Sequence, residues 1–275
     1  MYSKDIFLGM DLYAILLCAG VFICILVYSK LADKALISFK LQKFCFLCAI
    51  FAIPLGYGAA VLFQALYNIK DAGGFEISSN TGATFYGGLI GGAAVFLLIY
   101  FTVGHFLFSD GYHARNFFKV ADCATASIAI AHCLGRVGCL MAGCCHGART
   151  DAWYGIYMNG EKYVPIQLFE AIFLLCLFVY FTVSVLKKRS CNLPIYMISY
   201  GAWRFFIEYA RADERGDTIV SFLSPSQFIA VLMVLGGVAL LIFEIKYEKA
   251  HAQKTEHDAE QISNKQIANN CDGEQ

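Results

Sequence analysis

The strongest constraint on this chain is a series of apolar runs, each close to the roughly 17–25 residues that a helix needs to cross a bilayer. Seven stand out: Leu12–Tyr28, Phe44–Leu66, Gly87–Leu107, Val120–Arg136, Ile166–Leu186, Pro194–Ala210 and Phe222–Tyr247. In hydrocarbon the backbone N–H and C=O groups have no water to bond to, and apolar runs of this length satisfy them internally as helices. The expectation is an all-α membrane protein with about seven transmembrane helices. Composition agrees: 59% of the residues are hydrophobic and 15% charged, where soluble domains run near 25% charged. The formal net charge is zero, so no basic footprint for nucleic acid is present. The apolar runs are spread evenly, and residues 1–248 read as one membrane domain. From Lys249 the chain turns polar with few aromatics, so 249–275 reads as a disordered cytoplasmic tail. Lys4, Asp5 and Asp11 precede a first run without a small-residue cleavage site, which argues against a cleaved signal peptide.

Basic residues set the expected orientation. Lys30, Lys34, Lys40 and Lys43 fall in the first connection, Arg115 and Lys119 in the third, and Lys187, Lys188 and Arg189 in the fifth. Lys246 lies at the end of the last run and Lys249, Lys254 and Lys265 follow it, and the alternate connections are poorer in both residues. The side rich in Lys and Arg is cytoplasmic, which puts the N-terminus outside and the C-terminus in the cytoplasm. The fourth run contains Asp122 and His132, and the sixth contains Arg204 and Glu208. Polar spans of this kind face the protein interior or a wet cavity.

The segment Gly135–Gly147, GRVGCLMAGCCHG, straddles the end of the fourth run and opens the longest connection, Val137–Pro165. Each glycine weakens a helix by about 1 kcal/mol against alanine, and an arginine at bilayer depth costs roughly 2.5–3.5 kcal/mol on insertion scales. A ligand site is the gain that offsets both costs. Gly135, Gly138, Gly143 and Gly147 permit close backbone approach and positive φ. Successive backbone N–H groups in such a segment form an anion-binding concavity. Arg136 beside it adds bidentate phosphate recognition, and the abundant anion in a membrane is a phospholipid headgroup. The plainer reading of Arg136 is a structural arginine that snorkels to the interface or pairs with an acid.

Arg204 and Glu208 stand four apart, on one helix face, with Tyr200 a turn earlier and Arg211 extending the face. They read either as an internal pair that locks helices together or as a second cation aimed at the headgroup, held by Glu208. The third run opens FYGGLIGG. Gly88 and Gly92, and Gly87 and Gly91 one residue before, have the small-xxx-small spacing of close helix packing. Tyr86 is an interfacial anchor or a phenol pointed into the site.

Of the twelve cysteines, Cys18, Cys24, Cys45, Cys48, Cys123, Cys133 and Cys176 lie in apolar runs and read as small hydrophobes. The Cys45–Cys48 pair is a chance CxxC spacing within a helix. Cys139, Cys144, Cys145 and His146, with His132 and Cys133 upstream, raise zinc, but the spacing fits no pair of CxxC knuckles. A disulfide from Cys139 to Cys144 or Cys145 is a second option, and a cysteine nucleophile beside His146 a third. No metal or cofactor is expected from the spacing.

Taken together these segments resemble one family, the bacterial prolipoprotein diacylglyceryl transferases. The resemblance rests on YGGLIGG at Tyr86–Gly92, GRVG at Gly135–Gly138 with its closing Gly147, and YGAWRFFIEYAR at Tyr200–Arg211, in that order, with VPIQLFEA at Val164–Ala171 between the last two. It covers the chain except the tail. It implies a multi-pass protein of the bacterial inner membrane, with its active site toward the extracytoplasmic side. The implied reaction moves a diacylglyceryl group from phosphatidylglycerol to the lipobox cysteine thiol of a preprolipoprotein signal peptide, releasing glycerol phosphate. Arg136 then matches the phosphatidylglycerol-binding arginine and Arg204 the second essential arginine. Tyr200, Glu208 and Arg211 stand in the flanking pattern, Gly138, Cys139, Cys144 and Gly147 in the substrate-binding segment, and Tyr86, Gly87 and Gly88 in the first motif. Three positions depart from the family pattern: Tyr86 where it has His, Cys139 where it has Asn, and Cys144 where it has Glu. Tyr86, with an ordinary pKa near 10, is a poorer base than His. Two alternatives stand beside the transferase: a membrane thiol-redox or zinc protein built on Cys139, Cys144, Cys145 and His146, and a lipid-binding relative with a different acceptor.

Overall fold

The computed structural model describes residues 11–72, 81, 84–158, 160–211 and 223–272, and within the helices the side chains of 67, 69–72, 85, 86 and 251–272 are not described. The chain is helical nearly throughout. In order, the elements are α1 (Leu12–Lys34), α2 (Phe39–Ala72), α3 (Phe85–Leu107), α4 (Tyr112–Arg115), α5 (Phe117–Ala142), β1 (Ile156–Met158), β2 (Glu161–Tyr163), α6 (Ile166–Leu186), α7 (Asn192–Ile207), a 3-10 turn (Glu208–Ala210) and α8 (Pro225–Asp272). Six of the helices, α1, α2, α3, α5, α6 and α8, are long and apolar enough to cross a membrane. The run expected at Pro194–Ala210 is the exception, because α7 has only 16 residues before the backbone tightens into the 3-10 turn.

Two further differences from the sequence expectation bear on the site. α5 continues six residues past Arg136, so Gly135, Gly138 and Cys139 are helical and not part of a connection. Their N–H groups belong to the helix ladder, and the glycine-rich anion concavity expected there does not form. Packing accounts for Gly138: a β-carbon at that position would stand 3.1 Å from the Tyr13 ring of α1. α8 also continues through the polar segment after Lys249, to Asp272.

The residues group into two compact units, Met1–Tyr28 with Ala121–Gln275, and Ser29–Val120. In the second unit α2 and α3 pack through small residues. A β-carbon on Gly56 would meet Gly92 Cα at 2.9 Å, one on Gly88 would meet Ala60 Cβ at 3.3 Å, and one on Gly87 would meet Phe63 Cβ at 2.7 Å. This is the close packing that the small-xxx-small spacing of the third run predicts. The buried Tyr100 hydroxyl donates to the His113 carbonyl at 2.7 Å, and the Phe44, Phe117 and His113 rings pack against its ring.

In the first unit, α5, α6, α7 and α8 enclose a core of Cys133, Ala171, Leu174 and Tyr200, with Ile130, Val137, Phe173, Tyr196 and Met233 against it. Gly201 lets α7 approach α8 closely, since a β-carbon there would stand 2.9 Å from the Ala230 carbonyl oxygen. Between α5 and α6, β1 and β2 form a short antiparallel hairpin with Ile156 opposite Tyr163.

Candidate active site

Helical periodicity builds the site. On α5, His132, Arg136 and Cys139 recur on one face; on α7, Tyr196, Tyr200 and Arg204 do the same. Glu170, one turn into α6, comes between these faces and is 1% exposed. Its Oε1 stands 3.0 Å from Arg136 Nε and accepts the Tyr200 hydroxyl at 2.7 Å. His132 Nε2 lies 3.9 Å from the same oxygen, and its Nδ1 is 3.0 Å from the Tyr196 hydroxyl. The Tyr196 and Tyr200 rings stack, with the His132 ring edge-on to Tyr200. Three helices thus meet at one carboxylate.

One turn further along α7, Arg204 is buried and pairs with Glu208, Nη2 to Oε2, at 2.7 Å, and the same nitrogen donates to Ser226 Oγ of α8 at 3.0 Å. Glu208 accepts the Ser224 hydroxyl at 3.1 Å, and Arg211 Nε lies 3.9 Å from its Oε2. The i,i+4 pairing expected for Arg204 and Glu208 is present, and Arg211 shares the same carboxylate. Arg136 is thus linked to Tyr200 through Glu170, and Arg204 follows Tyr200 by one turn of α7. Both arginines are near the end of the unit where α5 and α7 finish and α6 and α8 begin.

The segment after α5 turns back over this end. Gly143 (φ 68°) and Cys145 (φ 60°) both take left-handed backbone. The Cys144 N–H donates to the Cys139 carbonyl at 3.1 Å, and the buried Gln167 side chain donates to the Cys144 carbonyl. The result brings the sulfurs of Cys139, Cys144 and Cys145 within 4.8 Å of one another. Hydrogen bonding from the Cys139 thiol pushes the Cys145 thiol down to about 5; burial opposes this, while Cys144 and the Arg211 and Arg136 guanidiniums add to it. Burial and its neighbour Cys145 push Cys144 up. His146 is not part of the trio. Its ring packs on Tyr163, centroids 3.9 Å apart, and its Nδ1 is 3.1 Å from the Gly147 carbonyl oxygen.

Gly147 is a packing position in its own right. Its N–H donates to the Val164 carbonyl at 2.9 Å, and a β-carbon on it would stand 2.6 Å from the Ala210 carbonyl oxygen. Of the first motif, Tyr86, Gly87 and Gly88 begin α3 in the other unit; the Tyr86 side chain lies outside the described ones, and the two glycines pack on α2. An open depression on the hairpin is lined by Arg149, Thr150, Asp151, Tyr157, Glu161 and Lys162. It includes none of the buried arginines, and its exposed Arg149–Glu161 pair is screened by water.

The sequence reading passed over Glu170 and Gln167. Glu170 carried a usable signal, since an acid inside an otherwise apolar run is by default a functional-site candidate with a partner to be found.

Fold and site define a class: multi-pass membrane proteins organised around buried guanidinium–carboxylate pairs. The comparisons narrow it. The family profile described as prolipoprotein diacylglyceryl transferase matches residues 5–243. A phosphatidylglycerol–prolipoprotein diacylglyceryl transferase 2 of Clostridium perfringens is 34% identical over 183 residues, 63% of this chain and 67% of its own length. Proteins named phosphatidylglycerol–prolipoprotein diacylglyceryl transferase in Dehalococcoides mccartyi and Finegoldia magna are 30% and 29% identical, covering 75% and 88% of this chain and 79% and 93% of their own lengths. This chain belongs to the prolipoprotein diacylglyceryl transferase family.

Proposed function

We propose that this chain transfers a diacylglyceryl group from phosphatidylglycerol to the lipobox cysteine thiol of a preprolipoprotein, and that Arg136 and Arg204 hold the donor's phosphate. The observation that carries the assignment of roles is their convergence. Two guanidiniums from helices far apart in sequence gather toward Tyr200, Arg136 through the Glu170 carboxylate that Tyr200 also bonds and Arg204 one α7 turn on with Glu208. A guanidinium has five N–H donors in a planar fork, and Glu170 stands beside the Nε of Arg136. Phosphate oxygens suit such a fork.

In the reaction the acceptor sulfur attacks the glyceryl carbon next to the phosphate ester. A carbon–sulfur bond forms, the carbon–oxygen bond breaks, and glycerol phosphate departs with the electron pair. Negative charge grows on that oxygen, and preorganised cations beside it lower the barrier more than they would in water. Glu170, Tyr200 and Glu208 position the two arginines. The site lies at the same end of its unit as Tyr13, near the N-terminus, and the basic-residue bias supports placing that end on the extracytoplasmic side. Residues 1–248 form the membrane domain in this reading, and 249–275 the cytoplasmic extension.

The test is purified protein in vesicles with labelled phosphatidylglycerol and a lipobox peptide. Arg136→Ala and Arg204→Ala are each expected to abolish transfer of label, while Arg149→Ala, on the exposed hairpin pair, retains it. Transfer that persists in both buried-arginine variants would overturn the assignment.

A further inference from the structure

The reaction needs a thiolate, and in the arginine cluster Glu170 and Glu208 are held by guanidiniums and the His132 ring by the Tyr196 hydroxyl. A free cysteine thiol is only a few per cent ionised near neutral pH. The unassigned group beside the cluster is the trio Cys139, Cys144 and Cys145. Cys139 follows Arg136 by three residues and shares its face of α5. The other two are brought back by left-handed backbone at Gly143 and at Cys145 itself. For a residue with a β-carbon that conformation is uncommon and costly, and here its product is a third sulfur close to the other two. The buried Gln167 amide holds the turn by its Cys144 carbonyl.

Three thiols cannot all pair as disulfides, but three thiolates are a soft-metal donor set. Sulfurs bound to one tetrahedral zinc at about 2.3 Å are roughly 3.8 Å apart. The trio, all within 4.8 Å, needs only a contraction of about 1 Å, within reach of side-chain rotation. Zinc sites with three protein ligands keep a fourth position open and are the catalytic kind. Zinc with three thiolates carries one net negative charge, and the Arg136 and Arg211 guanidiniums act on these sulfurs with the opposite sign.

We propose that Cys139, Cys144 and Cys145 bind a zinc ion whose open position takes the acceptor cysteine and presents it as a thiolate. The proposal rests on the transferase reading for the identity of the acceptor. As the zinc–sulfur bond forms, the acceptor thiol gives its proton to water and displaces the water that held the fourth position; a coordinated thiol is deprotonated outright. That sulfur attacks the glyceryl carbon, and the carbon–oxygen bond breaks with its electron pair going to glycerol phosphate. The product is a neutral thioether, which leaves zinc and lets water return. Nothing is oxidised or reduced. The spacing of these cysteines fits no standard zinc motif because two residues in left-handed backbone, Gly143 and Cys145, bring the sulfurs together, and no spacing rule contains them.

The experiment uses the full chain, purified in detergent under reducing conditions and loaded with zinc or with cobalt(II) as a spectroscopic stand-in. Elemental analysis is expected to give about one zinc per chain, consistent with a single three-thiolate site. Cobalt should show thiolate charge-transfer absorption, which shifts on adding a lipobox peptide but not its Cys→Ser analogue. Cys139→Ser, Cys144→Ser and Cys145→Ser should each lose the metal while keeping their helical circular dichroism, and Cys176→Ser, exposed on α6, should keep it. A chain that transfers label with no zinc and no effect of chelators overturns the proposal and leaves the transferase reading standing. So does a disulfide between two of the three in protein that transfers label. Bound metal whose cobalt spectrum ignores the peptide overturns the acceptor role. Bound metal with a peptide-sensitive spectrum but no label transfer supports the metal site and removes the phosphatidylglycerol reading instead.

Discussion

Replacing Glu170 by Gln tests whether one carboxylate organises the site. Glu170 is buried to 1% exposure, and the Arg136 side chain is 17% exposed. The substitution keeps the shape and removes the charge, leaving a guanidinium in a water-poor setting without its counter-ion. Breaking a buried pair from one side costs about 3–5 kcal/mol. Tyr200→Phe removes the hydroxyl that donates to the same carboxylate at 2.7 Å, and a hydrogen bond to a charged group is worth about 1.5–3 kcal/mol. The two losses are not independent, since the phenol's strong bond exists only while the acceptor is charged. In the Gln background Tyr200→Phe should cost an ordinary neutral bond, about 1 kcal/mol, so the cycle should show a coupling of about 0.5–2 kcal/mol. Equilibrium unfolding in mixed detergent, read by circular dichroism, gives all four corners. A Glu170→Gln cost under about 1 kcal/mol would refute the reasoning, because a buried guanidinium left unpaired cannot be that cheap. Additive single variants would show that the Tyr200 hydroxyl gains nothing from the Glu170 charge.

Gly147→Ala is expected to destabilise by about 1–3 kcal/mol and to lower label transfer, because its β-carbon would stand 2.6 Å from the backbone oxygen of Ala210, next to Arg211. Gly135→Ala, with nothing within 4 Å of the added carbon, should match or exceed wild-type stability, as alanine favours the helix by up to about 1 kcal/mol; equal losses in the two variants would refute the packing role of Gly147. The pH dependence of Cys145 alkylation in reduced, metal-free protein, followed by mass spectrometry, tests its thiolate character. With the thiol pushed down to about 5, the thiolate dominates above that pH, so the rate should fall only as pH drops through about 5 and stay flat from about pH 6 to 8. An ordinary thiol, with its pKa near 8.5, would instead gain about tenfold per pH unit over that range, and such a rise would remove the assignment.

Much of the architecture was legible because the bilayer imposes it. Six apolar runs lie in long helices, since length and hydropathy are the whole requirement; Gly87–Leu107 and Ile166–Leu186 keep their expected limits, while the other four helices run past theirs. The same logic misplaced the boundary at Arg136. Four glycines and an arginine look like the end of a span, yet α5 passes through Gly135 and Gly138, because burial against Tyr13 and the Glu170 pair outweighs their helix cost. The Arg204–Glu208 pair was legible from i,i+4 spacing alone. The Arg136–Glu170–Tyr200 junction was not, because it joins three helices and no spacing rule crosses connections. The sulfur trio was hidden for a different reason: it depends on positive φ at Cys145, and side-chain identity does not announce that.

The short α7 explains why these side chains meet where they do. At about 1.5 Å per residue its sixteen residues span roughly 24 Å, against a hydrocarbon core of about 30 Å. Its ends must therefore be finished by protein groups, since backbone left unpaired in lipid is costly. At the N-terminus, Asp122 of α5 accepts the Asn192 N–H at 2.7 Å and Glu244 of α8 accepts the Cys191 N–H at 3.0 Å, both carboxylates being buried. Anionic groups suit that end of the helix dipole, and Arg204 in the last turn suits the other. α5 and α7 run side by side in the same direction, because their starts meet at Asp122 and Asn192 and their later turns meet at His132 with Tyr196 and at Arg136 with Tyr200 through Glu170. A helix fixed at its start by two carboxylates cannot slide along its neighbour without breaking both bonds. The register that sets Tyr200 beside the Glu170–Arg136 pair is thus established about 21 Å away along α5, at 1.5 Å for each residue from Asp122 to Arg136. Loss of either buried acid would cost the site its alignment before any residue near the arginines had changed.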